Sequence, residues 1–453
     1  MTLTYLTNPA NHSRDAATAL GDDLPAFNRV LRVLGARRRR NMLRRRYYDG
    51  EERIRNIGIA IPPDLEDLMP VVGWPAKAVN VLSTRLNIEG FAVPDAARSD
   101  EEVRQIFDLN HMEVGARQAH TAALRDGCAF IAVTVGDTGA GEPPAVIATY
   151  TATDASGTWN QRRHALDSAL TVDVRNEFGA VMQMSWWTPV RQVRMSRRTV
   201  TGDWRVEDLP HRFGRVPVVC VAYGTVPGRP FGTSRITRPV MRLTDHAVRT
   251  LLRSEIAAEF FSAPQRYLLG ADMEAFEDEN GELKPGWESI IGHLLVASRP
   301  VDDNGNTSES NPVAGQFAQA SMEPHAAELR SVATMFAGES SIPVNYLGIV
   351  QDNPASADAI RAAESDLISV AESAQNDFAA AWAEVAILAA MASRAARGLP
   401  WEVDDLAGIR PVWRDASTPT KAAQAQSVMT LVTAGVLPPT SEVTYELLGF
   451  YRV

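Results

Sequence analysis

Lysine is almost missing from this 453-residue chain: Lys77, Lys284 and Lys421 are the whole supply, so nearly all positive charge is arginine. Cysteine is equally scarce. Cys128 and Cys220 each sit inside an apolar run, which predicts two buried free thiols rather than a disulfide. No G-x-x-x-x-G-K-[ST] occurs, which excludes nucleotide hydrolysis by the P-loop route. No H-E-x-x-H or G-x-S-x-G occurs either, and the eight histidines show no metal-ligand spacing. The first residues, Met1 to Asp15, lack the basic-then-apolar order of a signal peptide, and the most apolar stretch, 378–396, is interrupted by Glu384 and Arg394. A cytoplasm-like compartment and no membrane span are therefore expected, and no cofactor or metal.

What the chain does have is ordinary globular composition, 45% hydrophobic and 22% charged, at a length that suits two or more domains. Its net charge of -10 argues against a simple DNA-coating protein. The charge is unevenly spread. Arg37, Arg38, Arg39, Arg40, Arg44, Arg45 and Arg46 crowd one segment, and Asp272, Glu274, Glu277, Asp278, Glu279 and Glu282 crowd another.

The apolar spacing predicts a helix over 24–48, stopped by Gly50, another from Pro75, and one over 100–125. From Asp126-Gly127 the period shortens. Runs 128–135, 145–150, 170–174, 181–187, 190–195 and 216–223 read as strands of an antiparallel sheet, with Gly136 to Gly141 as a turn between strands. A long helical stretch follows Gly232. It carries an apolar stripe (Ile236, Val240, Leu243, Ala247, Leu251) beside a face bearing Arg235, Arg238, Arg242, Arg249 and Arg253. Guanidinium groups so aligned repel one another, so an anion is expected opposite them, either DNA phosphate or the carboxylates of a neighbouring subunit. The 37–46 cluster is open to the same two readings, or to that of a solvated helix face. After short strand-like pieces over 267–269 and 293–297 comes a helix over 321–336. The longest helix runs over 356–397, a rod on the order of 60 Å, and its few large side chains suit packing between neighbours. Asp352, Asp358 and Glu364 read as solvated carboxylates and a helix-start charge rather than a metal cluster. Strands over 401–413 and short helices over 418–431 and 441–448 close the chain.

The order of these parts resembles the portal proteins of tailed bacteriophages, of the type frequent in phages of actinobacteria. The resemblance is carried by Tyr47-Tyr48-Asp49-Gly50-Glu51, Gly73-Trp74-Pro75 leading to Val79-Asn80-Val81-Leu82, Glu89-Gly90-Phe91 and Asp126-Gly127. It continues through Gly232-Thr233-Ser234-Arg235-Ile236, Ala258-Glu259, Ala263-Pro264-Gln265-Arg266 and 342–348 (IPVNYLG). Last come 353–360 (NPASADAI) and Trp413-Arg414-Asp415. Gly73 stands where such sequences often carry Asn. No one motif decides; their collinear series from about 40 to 440 does.

The resemblance implies an α+β portal fold. Its parts would be a mixed α/β wing over 1–235, stem helices over 236–262 and 321–341, a clip over 263–320, a tunnel-loop region over 342–355, a long wing helix with return strand over 356–415, and crown helices over 416–453. It implies a ring, typically of twelve subunits, at one capsid vertex of the virion, assembled in the host cytoplasm. Expected partners are double-stranded DNA held non-specifically, the terminase large subunit, a head-tail adaptor, and the major capsid and scaffold proteins. Asn345, Gln351, Asp352 and Asn353 would face DNA from the loop. Arg238, Arg242, Arg249 and Arg253 would face phosphate or an adjacent subunit from the stem. Two other readings remain beside it: a capsid-associated, scaffold-type protein that never touches DNA, and a metal-dependent nuclease.

Overall fold

The computed structural model describes all residues except 1–5, 53–69, 94–98, 262–265, 270–312, 317–320, 350–356, 418–420, 436–437 and 440–453. The helices before the sheets are α1 (Arg14–Leu20), α2 (Leu24–Asp49) and α3 (Trp74–Ser83), then, after strand β1 (Ile88–Ala92), α4 (Ser99–Leu109) and α5 (Met112–Asp126). The sheet region holds β2 (Cys128–Val135), β3 (Ala145–Thr151), β4 (Ala155–Asn160), β5 (Ala165–Arg175), β6 (Val181–Trp187), β7 (Arg191–Ser196), β8 (Arg205–Pro210) and β9 (Val218–Ala222). Then follow α6 (Arg238–Phe261), β10 (Arg266–Leu269), β11 (Val313–Gln316), α7 (Glu323–Ser340), α8 (Ala357–Ala396), β12 (Arg410–Trp413) and α9 (Lys421–Thr433). The class is α+β, as expected. Contacts divide the chain into two compact units, one formed by Met1–Glu52, Gly73–Arg242 and Phe336–Val453, the other taking in Leu243–Met335.

The first unit is built on two antiparallel sheets where the sequence suggests one: β3-β2-β9 and the meander β4-β5-β6-β7-β8. Side chains alternate across a strand, and the central strands β5 and β6 of the meander are buried on both faces, while β8 at its edge is mostly exposed. Leu170, Val172, Met184, Trp186, Val193 and Met195 meet Phe27, Val30, Leu31 and Leu34 of α2. Phe27 meets Trp186 edge-on at 5.6 Å. Their chain neighbours Ala169 and Trp187 pack instead with Phe130, Ala132 and Val218 of the other sheet. Residues alternating with these on β2, namely Ala129, Ile131 and Val133, are buried too, where α5 and α8 pack. Each large apolar group so enclosed contributes about 1.5–3 kcal/mol.

Three local departures from the sequence pattern have plain causes. The helix expected over 100–125 breaks at Asn110-His111, where His111 adopts φ 52° and the Asn110 amide donates to Ile106 O (2.9 Å) and Ala145 O (2.8 Å). β4 and β8 escape the pattern because their polar residues lack β-branched alternation. β1 pairs with β12 from the far end of the chain, Phe91 opposite Pro411, a partnership with no local signal. Gly136–Gly141 is the expected turn, a short 3-10 turn capped by Asp137. Cys128 and Cys220 are free thiols, as expected. Their mutual hydrogen bond and burial push the Cys220 thiol well above its usual range.

α8 is long and apolar enough over Ala363–Ala396 to cross a membrane by length and composition, with 56% of that window buried. The interruptions at Glu384 and Arg394, from which no span is expected, therefore do not by themselves disqualify this helix on length and composition. Leu367, Phe378, Trp382, Val385 and Leu388 are fully enclosed, and α8 packs on β2, β9, β3, α4 and β12. The few large groups of the rod are thus consumed within its own chain.

Candidate functional site

Several of the residues that carry the family resemblance pair with one another in the first unit. Tyr48 Oη donates to Asn80 Oδ1 (2.7 Å), and Arg414 Nε donates to Glu89 Oε1 (2.8 Å). Gly127 and the 232–235 segment meet at the end of β9: Tyr223 N–H donates to Gly127 O (2.9 Å), Thr233 N–H to Tyr223 O (2.7 Å) and Arg235 N–H to Leu124 O (2.8 Å). The approach is close enough to demand glycine. At Gly232 φ is +63°, and an added Cβ would fall 2.2 Å from Tyr223 O. Gly232→Ala is expected to destabilise by at least about 2 kcal/mol, whereas Gly348→Ala, at φ +85° in open space, costs about 1 kcal/mol from backbone strain alone. Chemical unfolding of the two variants reads the difference.

Arg235, which the helical pattern groups with the other stem arginines, is not on an outward face. It is buried, and donates to Ala78 O (3.0 Å), Tyr223 Oη (3.2 Å) and the carbonyl of Ser340. It ties α3 and the end of α7 to the start of α6, and the Trp74 and Phe336 rings meet beside it at 5.3 Å. Its role is to join elements.

A second cluster locks the root of the expected tunnel loop. Val344–Leu347 form a 3-10 turn that ends in left-handed Gly348. Tyr346 Oη donates to Glu364 of α8. Arg85 Nη2 donates to the same carboxylate (3.1 Å) and to Tyr346 Oη (3.3 Å), while its Nη1 donates to Ala416 O (2.7 Å). Gln375 Nε2 holds Arg85 O (3.3 Å) and Arg414 O (3.0 Å). Lys77 Nζ stands 5.8 Å from the Tyr346 ring centre. Arg85 and Glu364 are each 8% exposed, so the pair is a buried one, and burial together with the Glu364 hydrogen bond raises the Tyr346 phenol. The expectation of a solvated Glu364 is corrected: a charge partner and a phenol draw it inward. Tyr346 and Glu364 flank the loop on either side, so one guanidinium fixes both ends. Arg85 was legible only as a lone arginine inside the apolar stretch from Val79 to Leu86. Asn345 is exposed on the turn; Gln351, Asp352 and Asn353 lie outside the described residues.

Of the α6 arginines, Arg238, Arg242 and Arg253 are exposed and Arg249 is half-buried. Within the second unit, Arg253 lies 3.9 Å from Glu328 of α7, whose Oε1 is 2.9 Å from His246 Nε2. His246 holds the Glu328 carboxyl below its usual range, with Arg253 adding to the effect. Part of the anion expected opposite the stripe therefore comes from this chain itself. Among the described residues no three His, Cys, Asp or Glu side chains gather as a metal site.

The sequence model described as "Phage portal protein, SPP1 Gp6-like" matches residues 30–443. This chain belongs to the phage portal protein family. It is 30% identical over 399 residues to the portal protein of Mycobacterium phage L5, covering 86% of this chain and 79% of that one. It is 31% identical over 402 residues to the portal protein of Mycobacterium phage D29, with the same coverage. Among solved structures, it is similar to a chain of the neck of a native gene transfer agent particle computed with C12 symmetry: 14% identity, 86% of this chain, 95% of that chain, TM-score 0.44. The neck of the empty particle computed with C6 symmetry gives 14% identity, 87% and 96% coverage, and a TM-score of 0.43. The portal match spans both roots of the loop and every junction described above.

Proposed function

We propose that this portal-family chain assembles as a ring, of twelve subunits, at one vertex of the virion capsid, and that the ring is a non-enzymatic conduit for double-stranded DNA during packaging and ejection. The observation that carries this reading is the family match over 30–443, within which the loop roots are locked by the buried Arg85–Glu364–Tyr346 cluster. A loop that touches moving DNA needs a rigid mount, and one buried ion pair gripping both its ends provides one. The wing, stem, clip and crown follow the divisions the resemblance implies. Asn345, Gln351 and Asn353 contact DNA from the loop through polar groups that hold phosphate weakly and non-specifically, and Asp352 faces DNA in the same loop. Arg238, Arg242 and Arg249 of the stem face phosphate or the adjacent subunit. The ring docks the terminase large subunit and the head-tail adaptor in turn, and seats among the major capsid and scaffold proteins.

Negative-stain images of the purified full chain, alone and with scaffold and capsid protein, are expected to show rings with a central hole. Monomers under every condition would overturn the reading. Gln351→Gly with Asn353→Gly is then expected to leave rings intact and to lower the DNA content of assembled heads.

A further inference from the structure

α2 carries nine arginines, Arg29, Arg32, Arg37, Arg38, Arg39, Arg40, Arg44, Arg45 and Arg46, and a single acid, Asp49, in a chain whose net charge is -10. Four of the nine are accounted for. Arg44 donates to Asp126 O (2.7 Å), Arg45 and Arg46 pair with Asp49 (3.4 Å) and Glu52 (2.9 Å), and Arg38 is half-buried near Asp154. The other five, Arg29, Arg32, Arg37, Arg39 and Arg40, are exposed, and none makes a hydrogen bond or ion pair with a described residue. At about 100° per residue, Arg29, Arg32, Arg39 and Arg40 share an arc of roughly 100° and span about 16 Å of helix axis. The opposite side of the same helix (Phe27, Val30, Leu31, Leu34) is locked into the core, so the array is rigid. Like charges this close cost stability, and the crowding shows at Arg44, whose guanidinium is driven down first by burial and then by Arg40. An open groove of about 550 Å³ beside Arg32 is lined by Asn8, Asn11 and Asn28, with Asn8 Nδ2 donating to Asn28 Oδ1 (2.7 Å), and by Leu6, Leu31 and Gly35.

We infer that this face of α2 binds the phosphate backbone of duplex DNA, at a site separate from the loop and stem contacts. A second copy of the chain fits it less well. The cores of protein interfaces are depleted in charge and rich in aromatics, while Val33, at 40% exposure, is the one large apolar residue exposed on α2. Several of the chain's carboxylates are also taken up by its own arginines, as in Asp208 with Arg191, Glu384 with Arg215 and Asp405 with Arg394. Phosphate suits the array: guanidinium forks hold it bidentately, and neighbouring amides add donors without sequence preference.

The inference does not depend on the ring, and the test separates the two. Closed circular duplex DNA cannot thread a preassembled closed ring, so on rings its binding reads surfaces outside the channel, and on unassembled chain the difference between the variants reads this face. Its affinity is measured across salt concentrations for the full chain, for the triple variant Arg32→Gln, Arg39→Gln, Arg40→Gln, and for the matching triple Arg→Lys variant. The Gln variant is expected to bind at least about tenfold more weakly, with the log–log salt slope smaller by about 2.7, the value for three lost phosphate contacts. The Lys variant, which keeps the charge, is expected to retain the slope. Equal affinity and slope in all three proteins would overturn the inference. So would a Gln variant that binds DNA normally but no longer self-associates, an outcome that would make a second copy the occupant of this face.

Discussion

Arg85→Met lowers the free energy of unfolding by roughly 3–5 kcal/mol, the range for removing one partner of a buried ion pair. The substitution strips Glu364, enclosed at 8% exposure, of its arginine partner, and takes the Arg85 donor from the carbonyl of Ala416. Most of that loss is the cost of an uncompensated buried charge rather than the strength of the pair. Arg85→Met combined with Glu364→Met is therefore expected to recover more than half of it. Denaturant unfolding of the two variants at neutral pH decides the matter. A single-variant loss under about 1 kcal/mol would show the pair to be solvated and the loop mount to lie elsewhere. The functional consequence is separable from stability: in the double variant the chain folds, but Tyr346 and the first turns of α8 no longer share a common anchor.

Acid should unfold the protein through His120. This side chain is fully enclosed, stacked 5.1 Å from the Phe378 ring. Its Nε2 accepts from Trp382 Nε1 (2.8 Å) and its Nδ1 donates to Leu86 O (2.9 Å). Burial pushes its pKa down to about 3 from 6.5, against a small opposing pull from Leu86 O. Between those values the unfolded chain binds a proton that the folded chain refuses, so stability falls as pH drops from about 6.5 and the loss is complete near 3. The full difference amounts to about 4–5 kcal/mol. His120→Gln gives up the ring stack and is less stable at pH 7, but it flattens the stability profile between pH 6.5 and 3 relative to wild type. Parallel profiles for the two proteins would place the acid lability in carboxylates such as Glu328 and Asp405, whose folded pKa values lie low.

The helical and central β segments were readable because their signals are local. The apolar stripe Phe27, Val30, Leu31 and Leu34 marks α2, Gly50 stops it in a left-handed turn, and β2 and β6 have the predicted ends. What escaped was long-range. Nothing in the spacing of Ile88–Ala92 announces Arg410–Trp413 as its partner, and nothing near Glu364 announces Arg85. The two-sheet arrangement was hidden for a similar reason, since a strand buried on both faces loses the alternation that reveals direction. For the candidate site, several of the motifs that carry the resemblance turn out to be joints. Arg235 is the clearest case: helical period put it on a charged face, while three carbonyl and hydroxyl acceptors hold it inside.

The doubly buried centre of the meander has one further consequence. Because Trp186 and Trp187 enter different cores, sliding β6 by one position would set one indole in the place of the other, so at that site side-chain bulk does little to fix the register. Asp173 on β5 resists it instead. Its carboxylate accepts from Tyr150 Oη (3.1 Å), Thr171 Oγ1 (2.7 Å) and Ser185 Oγ (2.6 Å), and Gln192 Nε2 donates onward to Ser185 (3.0 Å). Only one alignment of β5, β6 and β7 closes that chain of donors, so a few polar atoms act as the pin that indexes an otherwise slippery sheet.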